Sequence, residues 1–170
     1  MHSVKVDFIR FLDISLFDAL GSIGTYVIWD QNSDYIPCYI GQGSIVNRLN
    51  SHNTRFTPPL NGYIAVFGYD DDKHASAFKL DAELLESALL EIAKQTQRLS
   101  TNNIQDARVG IVAKLFDKHG KIKFTLGGHD PFSLPTTSRI ITPKKRIISI
   151  TPVNSHEFEI EHGWQKLRES

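Results

Sequence analysis

The sequence predicts an α/β (α+β) fold: a small mixed three-stranded sheet flanked by helices, with a β-rich C-terminal extension. Runs rich in β-branched and aromatic residues at 25–29, 35–40 and 62–69 indicate three strands, and the first two form a hairpin. Residues 81–99 carry apolar side chains at helical spacing, which indicates a long amphipathic helix. From residue 109 the alternation shortens, which is typical of further strands.

The elements of the first half follow from local signals. Residues 8–20 have near-helical apolar spacing and predict one or two short amphipathic helices. Pro37 limits the second strand of the hairpin to an edge position or an irregular start. Residues 41–44, Gly-Gln-Gly-Ser, are expected to interrupt that strand, and Ser44 can cap a helix running to His52.

Later elements are predicted in the same way. Asp81 is a suitable N-cap for the long helix. Strands at 109–116 and 121–126 flank a turn and predict a hairpin, and a loop at 127–138 leads to a last strand at 146–150.

Composition bounds the class of protein. The chain has 170 residues, of which 41% are hydrophobic and 22% charged, as in ordinary globular proteins. Cys38 is the single cysteine, so an internal disulfide and a cysteine-rich zinc site are excluded. The sequence has neither an apolar run of the roughly 20 residues that span a bilayer nor the apolar core of a secretory signal at its start. A cytoplasmic, soluble protein without membrane contact is expected.

Charge and composition divide the chain into three predicted parts: an N-terminal helical segment (1–22), a central domain (23–103) and a β-rich basic extension (104–170). The formal net charge is zero, but 104–150 carries 9 Lys and Arg against 3 Asp and Glu, a net +6. This basic segment indicates either a polyanionic partner or a solvated surface, and the count alone does not separate the two.

Polar residues that could carry chemistry surround the hairpin. Residues 24–26 read Gly-Thr-Tyr on the first strand, and residues 39–41 read Tyr-Ile-Gly at the end of the second. Arg48 and His52 are spaced i and i+4 on the next helix, which places them on one face. Glu86 lies beside a buried apolar stripe, where a carboxylate is ordinarily avoided.

This stretch resembles the GIY-YIG nuclease superfamily over about residues 23–103. The GIY-like element has Thr25 where the family usually has Ile, and the YIG element is intact. The matching elements follow the family's order: Gly24-Thr25-Tyr26, Tyr39-Ile40-Gly41, Arg48 with His52, Glu86 on the long helix, and Asn102 or Asn103 near its end. The central segment is therefore expected to be a GIY-YIG-like nuclease domain.

The resemblance implies a metal-dependent endonuclease that hydrolyses phosphodiester bonds in DNA with one Mg²⁺ or another divalent cation such as Mn²⁺. Glu86 would bind the metal, and Arg48 would stabilise charge that builds on the phosphate. Tyr26 is the candidate to activate the attacking water. Tyr39 and His52 would orient the water, relay the proton or hold the phosphate.

Further residues are expected to bind substrate. The family often has a small polar or basic run after the YIG element, and here residues 42–44 read Gln-Gly-Ser without a lysine. Backbone N–H groups at the helix start could replace the missing phosphate contacts. The expected substrate-binding residues are Gly41, Ser44, Asn102, Asn103, Lys144, Lys145 and Arg146.

Several alternatives stay open. Glu83 and Glu91 compete with Glu86 for the metal, although the residues around Glu86 match the family better. Each tyrosine could be a core aromatic, and the two asparagines could only end a helix. A non-catalytic nucleic-acid-binding protein and a small-molecule enzyme are the rival functions. RNA remains a possible substrate, and a role in restriction would imply a homodimer.

Overall fold

A computed structural model describes residues 1–30, 36–52, 61–99, 120–135, 145–153 and 157–167. The described elements are, in chain order, β1 (His2–Arg10), a 3₁₀ turn (Phe11–Asp13), α1 (Leu16–Ala19), β2 (Ser22–Trp29), β3 (Tyr39–Ser44), α2 (Ile45–His52), β4 (Asn61–Tyr69), α3 (Ala75–Thr96), β5 (Ile122–Gly128), β6 (Arg146–Pro152) and β7 (Phe158–Glu161).

One mixed sheet connects all the described strands, in the order β3-β2-β4-β1-β5-β6-β7. Its centre is β1, which runs antiparallel to β4, with Phe8 opposite Ala65, and parallel to β5, with Val4 opposite Phe124. The remaining pairs are antiparallel. The strands that follow α3 therefore continue the sheet that contains β2, β3 and β4.

The predicted three-stranded sheet is wrong, because the sheet has seven strands within the described residues. Two sets of strands extend it beyond the hairpin and β4. One is β1, from the segment predicted to be helical, and the other is formed by β5, β6 and β7. The sequence could not indicate this extension, because it depends on the pairing of β1 with β5 across a long stretch of chain.

The predicted helical start is corrected to a strand over His2–Arg10. Its burial alternates, with Val6 and Phe8 buried and Lys5 and Asp7 exposed, which is the period of a strand. The helical spacing of residues 8–20 instead covers the end of β1, a 3₁₀ turn and the short α1. A short apolar run can match the spacing of a helix or that of a strand, and here pairing with the two neighbouring strands, β4 and β5, favours the strand.

The hairpin and the helix after it are confirmed with shifted bounds. β3 begins at Tyr39 and continues to Ser44, so the interruption expected at 41–44 is wrong. The two glycines of this stretch stay in register with β2, where Gly41 lies opposite Tyr26 and Gly43 opposite Gly24. An edge strand that makes all its ladder bonds on one side tolerates such residues. The helix predicted to reach His52 is α2, which begins at Ile45.

The long helix begins earlier than predicted, at Ala75, and ends at Thr96. Asp81 is therefore not an N-cap. Its Oδ1 lies 2.8 Å from Nε2 of His2 and joins α3 to β1. Phe78, in the added first turn, packs directly over Gly68 of β4. A side chain at position 68 would overlap the Phe78 ring. Residues 75–80 extend the helix because their apolar members meet the sheet.

Helices cover both faces of the sheet around β2. On one face α3 packs against β2, β3 and β4, and its Leu85 and Leu89 join Val27 and Ile40 in the main core. On the other face Ile45 of α2 packs with Tyr26, Ile28 and Ile64. Consecutive residues of β2 thus face different helices.

The strands predicted at 121–126 and 146–150 are confirmed as β5 and β6, whereas β7 is not predicted from the sequence. The strand predicted at 109–116 lies outside the described residues. Asp130, Arg146, His162 and Trp164 form a group that we call the C-terminal clasp. It connects the chain after β7 to β6, to the segment after β5 and to α3. Asp130 Oδ1 accepts a hydrogen bond from Trp164 Nε1 at 3.0 Å, and Asp130 Oδ2 lies 3.0 Å from Arg146 Nη2.

The clasp also reaches α3. His162 Nε2 lies 3.0 Å from Oε1 of Gln95 on the last turns of α3. The backbone N–H of Trp164 donates to His162 Nδ1 at 3.2 Å, and the Arg146 guanidinium lies 4.9 Å from the centre of the Trp164 ring. In the part of the chain that the structure describes, no helix is long and apolar enough to cross a membrane.

Candidate active site

Two tyrosines meet over the edge strand β3. Tyr26 lies opposite Gly41 and Tyr39 lies opposite Ile28, so both rings are on the α2 face of the sheet. The ring centroids are 6.2 Å apart with an angle of 22° between the planes. Tyr26 is 1% exposed and Tyr39 is half-buried, so the pair extends from the core to the surface.

Gly41 provides the space that this pair occupies. A Cβ at Gly41 would overlap the hydroxyl of Tyr26 and would lie 2.7 Å from Cε1 of Tyr39. The Tyr26 hydroxyl therefore sits directly over the edge strand. A side chain at this position would displace one ring or the other, since real Cβ atoms do not make such contacts.

Arg48 follows the same strand. A Cβ at Gly43 would lie 3.1 Å from Arg48 Nε, and Gly43 has a φ of +126° that other residues rarely adopt. Gly43 is two residues beyond Gly41, so Arg48 extends over the same face as the tyrosines. Arg48 is exposed, so its planar array of donors can contact a phosphate from solvent. Ser44 ends β3, and its neighbour Ile45 begins α2.

Glu86 differs from the other carboxylates of α3, because it is 2% exposed whereas Glu83 and Glu91 are half-buried. Glu91 Oε1 also accepts a hydrogen bond from Gln95 at 3.2 Å. A buried carboxylate is tolerated only with hydrogen bonds or a cation to stabilise its charge, so burial sets Glu86 apart from the other two carboxylates.

The direction of Glu86 follows from helix geometry. Ala82 faces β2, since its carbonyl accepts a hydrogen bond from the Thr25 hydroxyl at 2.8 Å. Asp81 faces β1 on the opposite flank, through its contact with His2. At 3.6 residues per turn, Glu86 lies about 40° from Ala82 and about 140° from Asp81 around the axis. Glu86 is therefore on the flank of α3 that faces away from β1, toward the edge strand β3, which α3 contacts.

The candidate residues thus adjoin one edge of the sheet from two faces. The tyrosines and Arg48 lie on the α2 face, and Glu86 lies on the α3 face at the flank nearest β3. The structure therefore places Glu86 and the tyrosine pair on opposite faces of the sheet, and it does not bring them together on one face.

Other predicted site residues are placed elsewhere or are not described. His52 is the last residue of α2, and its side chain lies outside the described part of the structure. Asn102, Asn103 and Lys144 also lie outside the described residues. Lys145 precedes β6 and is exposed.

Arg146 belongs to the C-terminal clasp, where it contacts Asp130 and Trp164. It lies on β6, five strand spacings from β3, which is about 24 Å across the sheet at about 4.8 Å per spacing. The structure does not bring Lys145 and Arg146 together with the tyrosine pair.

The donor set limits the kind of metal that fits. Among the described residues, no group of three or more His, Cys, Asp or Glu side chains could hold an ion. Mg²⁺ needs fewer protein ligands, because it keeps several waters and is completed by substrate phosphates. A single carboxylate such as that of Glu86 suits a cation of this kind only when waters and substrate complete its ligands, and it does not suit a metal that needs a full set of protein ligands.

One residue of the site was missed by the sequence analysis. Thr25 matches the middle position of the GIY-like element, and its replacement of Ile looked like a neutral exchange of strand residues. Thr25 is fully buried, and its hydroxyl bonds across to α3. The available signal in the sequence was a hydroxyl at the start of the apolar run 26–29, since a hydroxyl that becomes buried requires a partner.

Comparison with known proteins gives no match: the chain matches no family model, no curated protein and no solved structure at a significant level.

Proposed function

We propose that the chain is a metal-dependent endonuclease of the GIY-YIG type that hydrolyses phosphodiester bonds in DNA. The observation that carries this proposal is the tyrosine pair over Gly41 of β3, together with the exposed Arg48 of the following helix α2, whose side chain lies next to Gly43 of the same strand. Core packing alone would not require two glycines in an edge strand under two phenol rings and a guanidinium. The arrangement suits a phosphate bound along β3.

Each side chain has a chemical role in this proposal. Arg48 binds the scissile phosphate and stabilises the charge that builds on its oxygens during attack. Tyr26 accepts the proton of the attacking water while its own hydroxyl proton passes to Tyr39 or His52, because a neutral phenol is a poor base unless it releases that proton. Tyr39, at the exposed side of the pair, can instead orient the water. Glu86 holds the divalent cation, which when bound would neutralise phosphate charge and assist departure of the leaving oxygen.

The cellular setting is part of the proposal. DNA is the partner and the cytoplasm is the compartment, with restriction, repair or defence as the compatible roles. The basic segment 104–150 supports a polyanionic partner through its net charge of +6. The position of Arg146 in the clasp means that other cations of this segment would make those phosphate contacts.

The burial of Glu86 favours one rival. A carboxylate that is 2% exposed meets a substrate phosphate only if the β3 edge opens, whereas a non-catalytic nucleic-acid-binding protein needs no such access. Tight DNA binding without cutting under Mg²⁺ and Mn²⁺ would favour that rival.

Cleavage of supercoiled plasmid DNA in Mg²⁺ or Mn²⁺ tests the proposal. The variants are Glu86→Gln and Arg48→Ala, and the matched controls are Glu91→Gln on the same helix and Lys94→Ala, an exposed cation near its end. Each site variant should lower the cleavage rate by about 10²- to 10³-fold, the cost of removing one transition-state contact. Both controls should stay within about twofold, the range of surface substitutions. Wild-type cutting by Glu86→Gln and Arg48→Ala would contradict the assignment.

A further inference from the structure

We propose that Thr25 is a positioning residue that fixes Glu86 relative to Tyr26 by anchoring α3 to β2. This inference rests on the proposed function for the importance of Glu86. The anchor itself is a separate structural statement, and it is argued from the contacts of Thr25.

The anchor is a directional contact between two elements. The Thr25 hydroxyl donates to the carbonyl oxygen of Ala82 at 2.8 Å, and Thr25 is fully buried. The core on the same side of the sheet, which includes Val27, Ile40, Leu85 and Leu89, is apolar. Apolar packing is not directional and permits small sliding movements, whereas a hydrogen bond fixes a donor and an acceptor to about 3 Å.

The anchored carbonyl belongs to the helical turn that carries Glu86. In an α-helix the carbonyl of residue i accepts the N–H of residue i+4, so the carbonyl of Ala82 faces the amide of Glu86. A carbonyl oxygen has two lone pairs and can accept both bonds. Thr25 therefore binds the same carbonyl group that accepts the helical hydrogen bond of the Glu86 N–H.

The other end of the anchor adjoins Tyr26. Thr25 and Tyr26 are consecutive on β2, so one points to α3 and the other to the α2 face. Gly24, on the other side of Thr25, has its Cα against the backbone carbonyl of Ala65, so β2 and β4 approach closely here. The strand thus provides a short and rigid connection between the tyrosine pair and the turn that carries Glu86.

The second anchor of α3 cannot replace this one. His2 contacts Asp81 on the flank of α3 that faces β1, and both side chains are partly exposed. That contact lies on the other flank of the helix and does not act on the flank that faces β3. Thr25 restrains the flank on which Glu86 lies.

The test compares Thr25→Val, which removes the hydroxyl at nearly constant volume, with Thr25→Ser, which keeps it. Thr96→Val is the matched control, because the Thr96 hydroxyl is also buried on α3 and donates to the carbonyl of Ile92 at 2.6 Å. Thr25→Val should lower kcat for plasmid cleavage by about 10- to 100-fold, as expected for a catalytic group displaced by about 1 Å. KM for DNA should change little, and Thr25→Ser should recover most of kcat.

Hydrogen exchange gives a readout that does not depend on cleavage. Amides of the Glu86 turn should exchange faster in Thr25→Val than in wild type, Thr25→Ser or Thr96→Val. Equal exchange in Thr25→Val and wild type overturns the anchor, and so does equal damage by Thr25→Ser and Thr25→Val, since that would indicate packing. Faster exchange together with unchanged kcat overturns the positioning role.

Failure of the proposed function has a different signature. If the wild type cuts no DNA, or Glu86→Gln cuts as well as the wild type, the nuclease proposal falls and with it the catalytic meaning of the anchor. The exchange pattern of the three threonine variants would in that case still show whether Thr25 holds α3.

Discussion

Gly41 is the residue on which the candidate site depends most directly. Its missing side chain lets the Tyr26 hydroxyl and the Tyr39 ring share the space over β3. Tyr26, Tyr39 and Arg48 were recognisable from the sequence, because their types and order resemble a family pattern. The Thr25 hydroxyl was not, because its role depends on a carbonyl 57 positions further along the chain.

Replacing Gly41 with Ala should disturb the tyrosine pair. The new methyl overlaps Tyr26 and Tyr39, so the free energy of unfolding should fall by about 1–3 kcal/mol, the usual cost of overpacking. Plasmid cleavage should fall by at least about tenfold, since the Tyr26 hydroxyl moves.

Gly163→Ala is the control for that change, because a Cβ there meets nothing within 4 Å. Denaturant unfolding and cleavage rates measure both variants. Full stability and activity in Gly41→Ala would mean that the rings are free to move and that their placement is not required.

Among the elements, β1 and β3 differ most from expectation, and each for a physical reason. In β1 a helical spacing and a strand alternation coexist over the same few residues, and pairing with β4 and β5 decides between them. In β3 the glycines that were expected to end the strand lie in register with β2. The elements β2, α2, β4 and β6 were predictable, because their local patterns agree with their tertiary environment.

The contrast in burial between Phe8 and Leu12 distinguishes the observed strand β1 from the helix that the sequence predicted. On a helix the two would share one apolar face, whereas in the structure Phe8 is 0% exposed and Leu12 is 74% exposed. Phe8→Ala should lower the free energy of unfolding by about 3–5 kcal/mol.

Leu12→Ala should change the free energy of unfolding by no more than about 0.5 kcal/mol, as at other exposed positions. Chemical denaturation of the two variants measures the difference. Similar losses in both would support the helix instead of β1.

For the whole molecule, the C-terminal clasp joins β6, α3 and the chain after β7 through a small set of polar contacts. The sequence placed Arg146 on a nucleic-acid surface, because a cluster of basic residues does not indicate which members have structural partners. Trp164 and Asp130 are those partners, and they come from segments that no local pattern connects with β6.

The clasp should make stability depend on pH through His162. Burial, and to a lesser extent the nearby Arg98, lowers the pKa of His162 below its ordinary value. The neutral ring uses Nδ1 to accept the Trp164 N–H, and a proton on Nδ1 would break that bond. The unfolded chain therefore binds the proton more readily, so the stabilisation is complete above about pH 6.5 and is lost as the pH falls.

Melting temperatures between about pH 7.5 and 5.5 test this contribution, since that interval includes the ordinary titration of histidine. The wild type should lose more stability over that interval than His162→Gln. His74→Gln, at an exposed histidine, should behave as the wild type does. An identical pH profile for wild type and His162→Gln would exclude a role for His162.

The central position of β1 has a consequence for biosynthesis. Its parallel neighbour β5 begins at Ile122, opposite His2, so the ribosome completes β1 long before the strand that must lie beside it. Until β5 emerges, one long edge of β1 has no native partner, and the nascent chain presents an open template for wrong association. The sheet therefore cannot form as a whole before β5 has been synthesised, and its assembly includes a slow, non-local pairing of β1 with β5.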